Sequence, residues 1–384
     1  MKHVLCTLGV LLSMYAASAR AEPPSLLLTV TSSPARAISN PACNAADIPD
    51  APARAVRLAD GTVQLYAADQ HNRLNSGAGL LQLHHDCTSV LEGGGKNDPA
   101  AFDDRAWLAS PWTRDGRTIW AIVHNEFQGH RRPVLCASGR YMDCWFNTLT
   151  AAVSYNGGNS FVRMPGTALV AALPYRFEDV GLGHHGYFNP SNIVSLDGAQ
   201  LMLTFATRAG LQRPGNCLLR TTAIERPDSW RAWDGHDFAV TFINPYASAS
   251  SAGDQPGRHV CTPVGANGLR WPVMSLVRHT PSGVFLAVMQ DGARGGGVFY
   301  ATSADLLHWS DPALLLPAIG LAAWTCSDAP PLAFPSILDP ASPDRNYETV
   351  GGTAYLFATE FNVSHCRTGM DRDLVRWSLS ITAP

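Results

Sequence analysis

The sequence predicts an all-β fold, a five-bladed β-propeller, on three observations. Beyond residue 53 the chain runs as short apolar stretches divided by Gly, Asp, Asn and Pro turns, with almost no sustained helical period. The same hairpin grammar recurs along the whole chain. Each of the last four recurrences carries an aromatic residue after a polar turn: Phe161, Trp230, Trp309 and Trp377, separated by 69, 79 and 68 residues. A repeat of four short strands with one aromatic marker is the pattern of propeller blades. A β-sandwich with long insertions would not produce that spacing.

Taken in order, residues 1–21 read as a secretory signal peptide. Lys2 and His3 precede the apolar run Val4–Ala17, and Ala19-Arg20-Ala21 fits a small-x-small cleavage site. Residues 22–52 form an N-terminal extension rich in Pro, Ala and Ser, whose stretch Leu26–Thr31 is expected to pair with the last blade and close the ring. Residues 53–384 form the propeller. Its first blade spans Arg54–Glu92, with a hairpin around Ala59-Asp60-Gly61 and further strands at Leu80–His85 and Ser89–Glu92. The second opens with Ala106–Thr113 and Thr118–Asn125, joined at Arg114-Asp115-Gly116-Arg117, where Gly accepts a positive φ without a steric penalty. The third turns at Asp197-Gly198 within Asn189–Thr207, and the fourth at Ser282-Gly283 within Pro272–Met289. The fifth comprises FPSILDP, Tyr355–Thr359 and MDRDLVRWSLSI.

Composition narrows the function classes. The net charge is −3 and no basic run stands out, so nucleic acid is not an expected partner. No stretch after the leader is long and apolar enough to span a bilayer, so no membrane anchor is expected after cleavage, and the protein should be secreted or periplasmic. Lys96, in GGGKN, is the only lysine beyond residue 21, which discounts Schiff-base chemistry. Eight of the nine cysteines lie beyond the leader: Cys43, Cys87, Cys136, Cys144, Cys217, Cys261, Cys326 and Cys366. An even count in an exported chain favours disulfides over metal thiolates. The pairing is open in sequence; the sequential order is the expectation, with Cys136–Cys144 closing a short loop.

The turn Ser154-Tyr155-Asn156-Gly157-Gly158-Asn159-Ser160-Phe161 resembles the sialidase Asp-box, S-x-D-x-G-x-T-W, with Asn for Asp and Phe for Trp. Ser303–Trp309 (SADLLHW) and Arg372–Trp377 (RDLVRW) resemble the blade ends of five-bladed propeller glycosidases, the group of arabinanases, β-xylosidases, levansucrases and invertases. Such turns are structural, with the Asp or Asn capping backbone N–H groups and the aromatic packing between strands. The resemblance implies a funnel on the propeller axis with a catalytic acid and base on the innermost strands. This chain has no invertase-like N-D-P-N-G, R-D-P or E-C motif, and no sialidase Arg triad can be assigned. No catalytic residue therefore transfers by motif.

Residues at one rim carry the functional expectation. A hairpin brings the start of its first strand beside the end of its second. Asp103, Asp104 and Arg105 should thus gather with His124 and Glu126. The same rule adds Asp69, His71 and Arg73 from the first blade, Asn189, Asn192 and Arg208 from the third, Trp271 and Asp291 from the fourth, and Glu360 and Asn362 from the fifth. Carboxylates for proton transfer, Arg and Asn for hydroxyls and Trp for stacking make a carbohydrate the expected substrate. Glu126 is the expected general acid, because Trp120–Val123 and Phe127 flank it with apolar surface. Asp104 is the expected base or nucleophile, kept ionised by Arg105, and Glu360 the third acid. No cofactor is expected, although the axis leaves room for a structural cation. A non-catalytic glycan- or protein-binding propeller, an ion-paired blade edge, and a metal-assisted lyase are the alternatives. His84-His85-Asp86 and His184-His185 are weak metal candidates, since adjacent histidines on a strand point to opposite faces.

Overall fold

The computed structural model describes residues 25–38, 43–45, 47–67, 69–132, 134–164, 168–176, 183–247 and 255–383; the leader assigned to residues 1–21 lies outside them. The described chain begins with β1 (Leu27–Val30) and β2 (Ala35–Arg36). Four-stranded antiparallel units follow. The first is β3 (Arg54–Arg57), β4 (Val63–Tyr66), β5 (Arg73–Gly79) and β6 (Gln82–Ser89). The second is β7 (Arg105–Thr113), β8 (Ile119–Gln128) and β9 (Trp145–Ser154), with β10 (Val162–Arg163) and β11 (Leu169–Ala171) both on the far edge of β9. In the third, β12 (His185–Phe188) and β13 (Val194–Leu196) share the inner side of β14 (Ala199–Arg208), which pairs with β15 (Gln212–Thr221), and that with β16 (Arg231–Ala232). The fourth is β17 (Val273–His279), β18 (Phe285–Asp291), β19 (Gly297–Ser303) and β20 (Ala313–Pro317). The fifth starts at β21 (Leu332–Leu338), sends β22 (Thr349–Val350) across to pair in parallel with β17, and continues through β23 (Thr353–Ser364) and β24 (Arg367–Thr382). β1 lies antiparallel on β24 and supplies that unit's outer strand.

These units are arranged around an axis, and the architecture is an all-β propeller. β3 packs on β7, β9 pairs with β12, β14 packs on β17, β17 on β21, and β21 returns to β3. One apolar core fills each gap between neighbouring units, so strands such as β9, buried at every position, show no alternation of apolar and polar residues.

The sequence reading needs three corrections. The second and third units are not separate sheets, because the parallel β9–β12 pair joins them into one of ten strands. In the first unit the expected strands shift: Leu80-Leu81 form the β5–β6 turn, with Leu80 buried and Leu81 exposed, the third strand is Arg73–Gly79, and Ser89 ends β6 so that Ser89–Glu92 is not a further strand. Arg372–Trp377 is not a turn. It lies inside β24, with Asp373 opposite Glu360, because the outer strand of this unit comes from β1 and no turn is needed after it. The other two motif turns do share one bonding pattern. The Ser154 Oγ accepts from Gly158 N (2.8 Å) and Asn156 Oδ1 from Ser160 N (3.1 Å); Ser303 Oγ accepts from Leu306 N (2.8 Å) and Asp305 Oδ1 from His308 N (2.8 Å).

Two features lock the ring. On the axis, Arg54 is fully buried and donates to the carbonyls of Ala53 (3.1 Å), Pro190 (3.2 Å) and Met274 (2.5 Å), joining the first, third and fourth units. Burial lowers its pKa to about 9. A fixed guanidinium here makes this part of the axis electrostatically unfavourable for a structural cation. At the opposite rim from the candidate residues, the segment between β21 and β23 touches all four other units. Arg345 O accepts from Arg57 N (2.7 Å) while the Arg345 guanidinium donates to Arg57 O (3.3 Å), Asn346 pairs with both backbone groups of Thr113 (2.7 and 3.0 Å), the Glu348 carboxylate accepts from Ser195 N, and Glu348 O accepts from Arg278 N (2.9 Å).

Burial, then the charge of Asp344, raises Glu348 from 4.5 to about 7. A raised carboxyl contributes stability that is complete below its unfolded pKa and is lost as pH rises through the folded one. Urea unfolding of the native protein is therefore expected to show a fall in stability between about pH 4.5 and 7 from this group. Glu348→Gln should reduce that slope; an unchanged slope would assign it to other groups.

Candidate functional site

The rim formed by the starts of the inner strands and the ends of their partners collects the chemistry. In the second unit the register sets Arg105 opposite Glu126 and Trp107 opposite His124, while β9 sets Asn147 opposite Glu126 and Trp145 opposite Gln128. Alternate residues of a strand share a face, so His124, Glu126 and Gln128 form one row. Gln128 Nε2 donates to Glu126 Oε2 (2.8 Å), and the neighbouring Asn147 amide also favours the carboxylate form. These contacts lose to burial, reinforced by the charges of Asp50 and Asp104, and the Glu126 carboxyl is raised from 4.5 to about 8.

Histidines back this carboxyl. Asn147 bonds His124 Nε2 (2.6 Å) and His184 Nε2 (2.9 Å). Burial lowers His124 to about 4 and His184 to about 3, so both are neutral near pH 7. Neutral rings tied to an amide orient Asn147, and Asn147 in turn flanks Glu126. The junction depends on Gly186, paired with Asn147 across β12 and β9. Its φ is +119°, and a Cβ there would stand 2.1 Å from Asn147 O. Gly186→Ala is expected to cost about 3 kcal/mol or more by denaturant unfolding, combining backbone strain with overpacking. A loss below about 1 kcal/mol would show that β12 can withdraw freely.

The aspartates have partners other than those expected. Asp104 is held by Arg132, with bonds of 2.6 and 2.9 Å, and accepts from Gln128 N (3.0 Å). Arg105, the expected partner, is adjacent in sequence, and successive residues of an extended chain point apart. Asp103 pairs with Arg163 of β10 (2.5 Å) and accepts from Gly94 N (2.7 Å). Asp104 and Glu126 nevertheless line a common cavity of about 10 Å³, room for about one water. Asp50, just before β3, is ion-paired with Arg372 and lies near the Trp107 indole; burial raises its carboxyl while Arg372 and Trp107 oppose the shift.

The other sequence candidates have contacts of their own. Asp69 caps a turn by accepting from His71 N (2.9 Å), and Arg73 turns toward Asp47 (3.7 Å). Asn189 neighbours His124, whereas Asn192 is a staple to the fourth unit, bonding both backbone groups of Leu276. Arg208 lies over the Tyr175 ring (3.8 Å). Trp271 stacks on Phe299 (4.7 Å, 27°), and Asp291 caps its own turn at Ala293 N (3.0 Å). Glu360 faces Asp373 across the fifth unit, and Asn362 bonds Asp371 and Asp373.

Asp50, Trp107, Gln128, Asn147 and Arg132 escaped the sequence reading. Asp50 had a usable signal, because it precedes the first inner strand as Asp104 precedes the second. Asn147 and Arg132 had none, since only register and loop packing bring them to Glu126. Among the described residues, Cys43, Asp47 and His85 form the one group of metal-ligand type. The Cys43 sulfur is bonded to Cys87, which leaves too few ligands to enclose an ion. The remaining disulfides are Cys136–Cys144, Cys217–Cys261 and Cys326–Cys366, the sequential order.

No protein-family model matches the chain, and no curated protein matches it in sequence. Solved structures that resemble it include a thermostable family-43 glycoside hydrolase (10% identity, TM-score 0.47, covering 85% of this chain and 90% of that one). The RS223 β-xylosidase shares 12% identity at TM-score 0.47, over 92% and 98% of the two chains. The catalytic domain of the Coprinopsis cinerea GH62 α-L-arabinofuranosidase shares 9% at TM-score 0.46, over 93% and 98%. Likenesses of this size carry no information about activity.

Proposed function

We propose that the protein is an exported, five-bladed propeller glycoside hydrolase, with residues 53–384 as its catalytic domain. The observation that carries this reading is the Glu126 carboxyl, which stays protonated to about pH 8 beside a second carboxyl, Asp50. Glycoside cleavage needs that pair: one acid to protonate the leaving oxygen, and one carboxylate to activate water or attack the anomeric carbon. Glu126 is the acid and Asp50 the second carboxyl. Asp104, fixed by Arg132, acts on Glu126 through its charge. Trp145 Nε1 and Gln128 Oε1 are buried without hydrogen-bond partners, groups that sugar hydroxyls satisfy.

A non-catalytic glycan-binding propeller is the second reading, favoured by the ion pairing of both Asp50 and Asp104. Assays on aryl glycosides and on plant and bacterial polysaccharides separate the two. Release of reducing sugar that disappears in Glu126→Gln supports the hydrolase. Retardation of both proteins on a polysaccharide gel without any release supports the binding module.

A further inference from the structure

We propose that the cleft between the first and fifth units is a second binding site, for a neutral polyhydroxylated ligand the size of one sugar ring. The cleft has a volume of about 240 Å³, which about eight waters would fill. One wall is β5, β6 and the segment before β3, with Asp47, Arg73, Asn75 and His85; the other is the start of β24, with Asp371, Arg372 and Asp373. Ile38, Ile48, Pro49 and Leu374 make an apolar floor. Apolar lining with a few convergent polar groups is the general form of a small-molecule site.

The charge pattern selects the ligand class. Arg36 pairs with Asp373 (2.7 Å), His85 with Asp47 (2.6 Å), Arg73 with Asp47 (3.7 Å), and Arg372 with Asp50. Each arginine already faces a carboxylate, so an anionic ligand would have to break a pair and leave a partly buried charge uncompensated, while Asp371, the lining carboxylate without such an arginine, is held by Asn362 Nδ2 (2.9 Å). A sugar avoids that cost. Its hydroxyls can use the unfilled hydrogen-bonding capacity of carboxylates and guanidinium groups, and its C–H face can lie on the apolar floor. Arg73 Nη1 and Arg372 Nε are buried without a hydrogen-bond partner, which leaves donors at both walls. The Asp50–Arg372 pair is the partition between this cleft and Glu126. The assignment does not rest on the hydrolase reading.

The test is calorimetric titration of the full protein with glucose, galactose, mannose, xylose and arabinose, and with glucuronate and glucosamine as charged probes. At least one neutral sugar is expected to bind with a millimolar Kd. Affinity should fall tenfold or more in Ala67→Leu, which fills the cleft, and in Arg73→Gln, but stay unchanged in Glu126→Gln. Should either cleft variant fail to fold, the His85 imidazole resonances of the native protein supply the readout and should shift with the same sugar. Equal affinity in the cleft variants, loss only in Glu126→Gln, preference for a charged probe, or unmoved His85 resonances would each overturn the proposal. So would the absence of saturable binding by every neutral sugar.

Discussion

Glu126→Gln is expected to lower kcat by about 10²–10⁴-fold on a glycoside with a poor leaving group, the range general acid catalysis supplies. On a dinitrophenyl glycoside, whose leaving group departs without a proton, the loss should be far smaller. Native activity should decline as pH rises through about 8, where the Glu126 carboxyl ionises, and that limb should be missing in the variant. Stability carries the same signature. The group is raised from 4.5 to about 8, so its contribution is complete below 4.5 and is lost as pH climbs through 8. At pH 9 the Gln variant should therefore unfold at higher urea than the native protein. An equal kcat loss on both substrates, or a persistent alkaline limb, would move the acid role to another residue.

Arg132→Ala is expected to cost about 3–5 kcal/mol, because it strands Asp104 as an unpaired carboxylate. Only 7% of that side chain is exposed, so water cannot replace the lost partner. Arg132 also lies over the Phe127 ring (4.8 Å), adding packing to the loss. The double variant Arg132→Ala/Asp104→Asn should recover much of the stability, since it removes the stranded charge. If the single variant unfolds within about 1 kcal/mol of the native protein, Asp104 must find solvent or another donor. Loss of the Arg132 charge beside Asp104 should raise the Glu126 carboxyl further, and the alkaline limb should move to higher pH.

The fold was legible wherever local chemistry decides it. Asp115-Gly116 announces the β7–β8 hairpin, and the register that follows sets Arg105 beside Glu126. The markers Phe161 and Trp230 are buried in the cores between units. What the sequence hid was non-local. Arg372–Trp377 carries turn-like residues, but β1 arrives from the other end of the chain and makes β24 an inner member of its sheet. The site divides in the same way. Glu126 stood out because acidic residues cluster at the hairpin ends. Its neighbours Asn147 and His184 come from β9 and the start of β12, and Asp104 is governed by Arg132 rather than by the arginine beside it. Sequence adjacency is a poor guide to ion pairing in extended chain, where successive side chains diverge.

The meeting of β1 with β24 also sets the order in which the molecule can form. Leu27 is aligned with Thr382, so this pairing joins strands far apart in sequence. Closing so long a loop is entropically expensive and yields contacts only at the end, the condition that slows folding. The segment between β21 and β23, which braces the other four units, follows all four of them in sequence. Until both are available, the first units retain open strand edges and no brace at that rim.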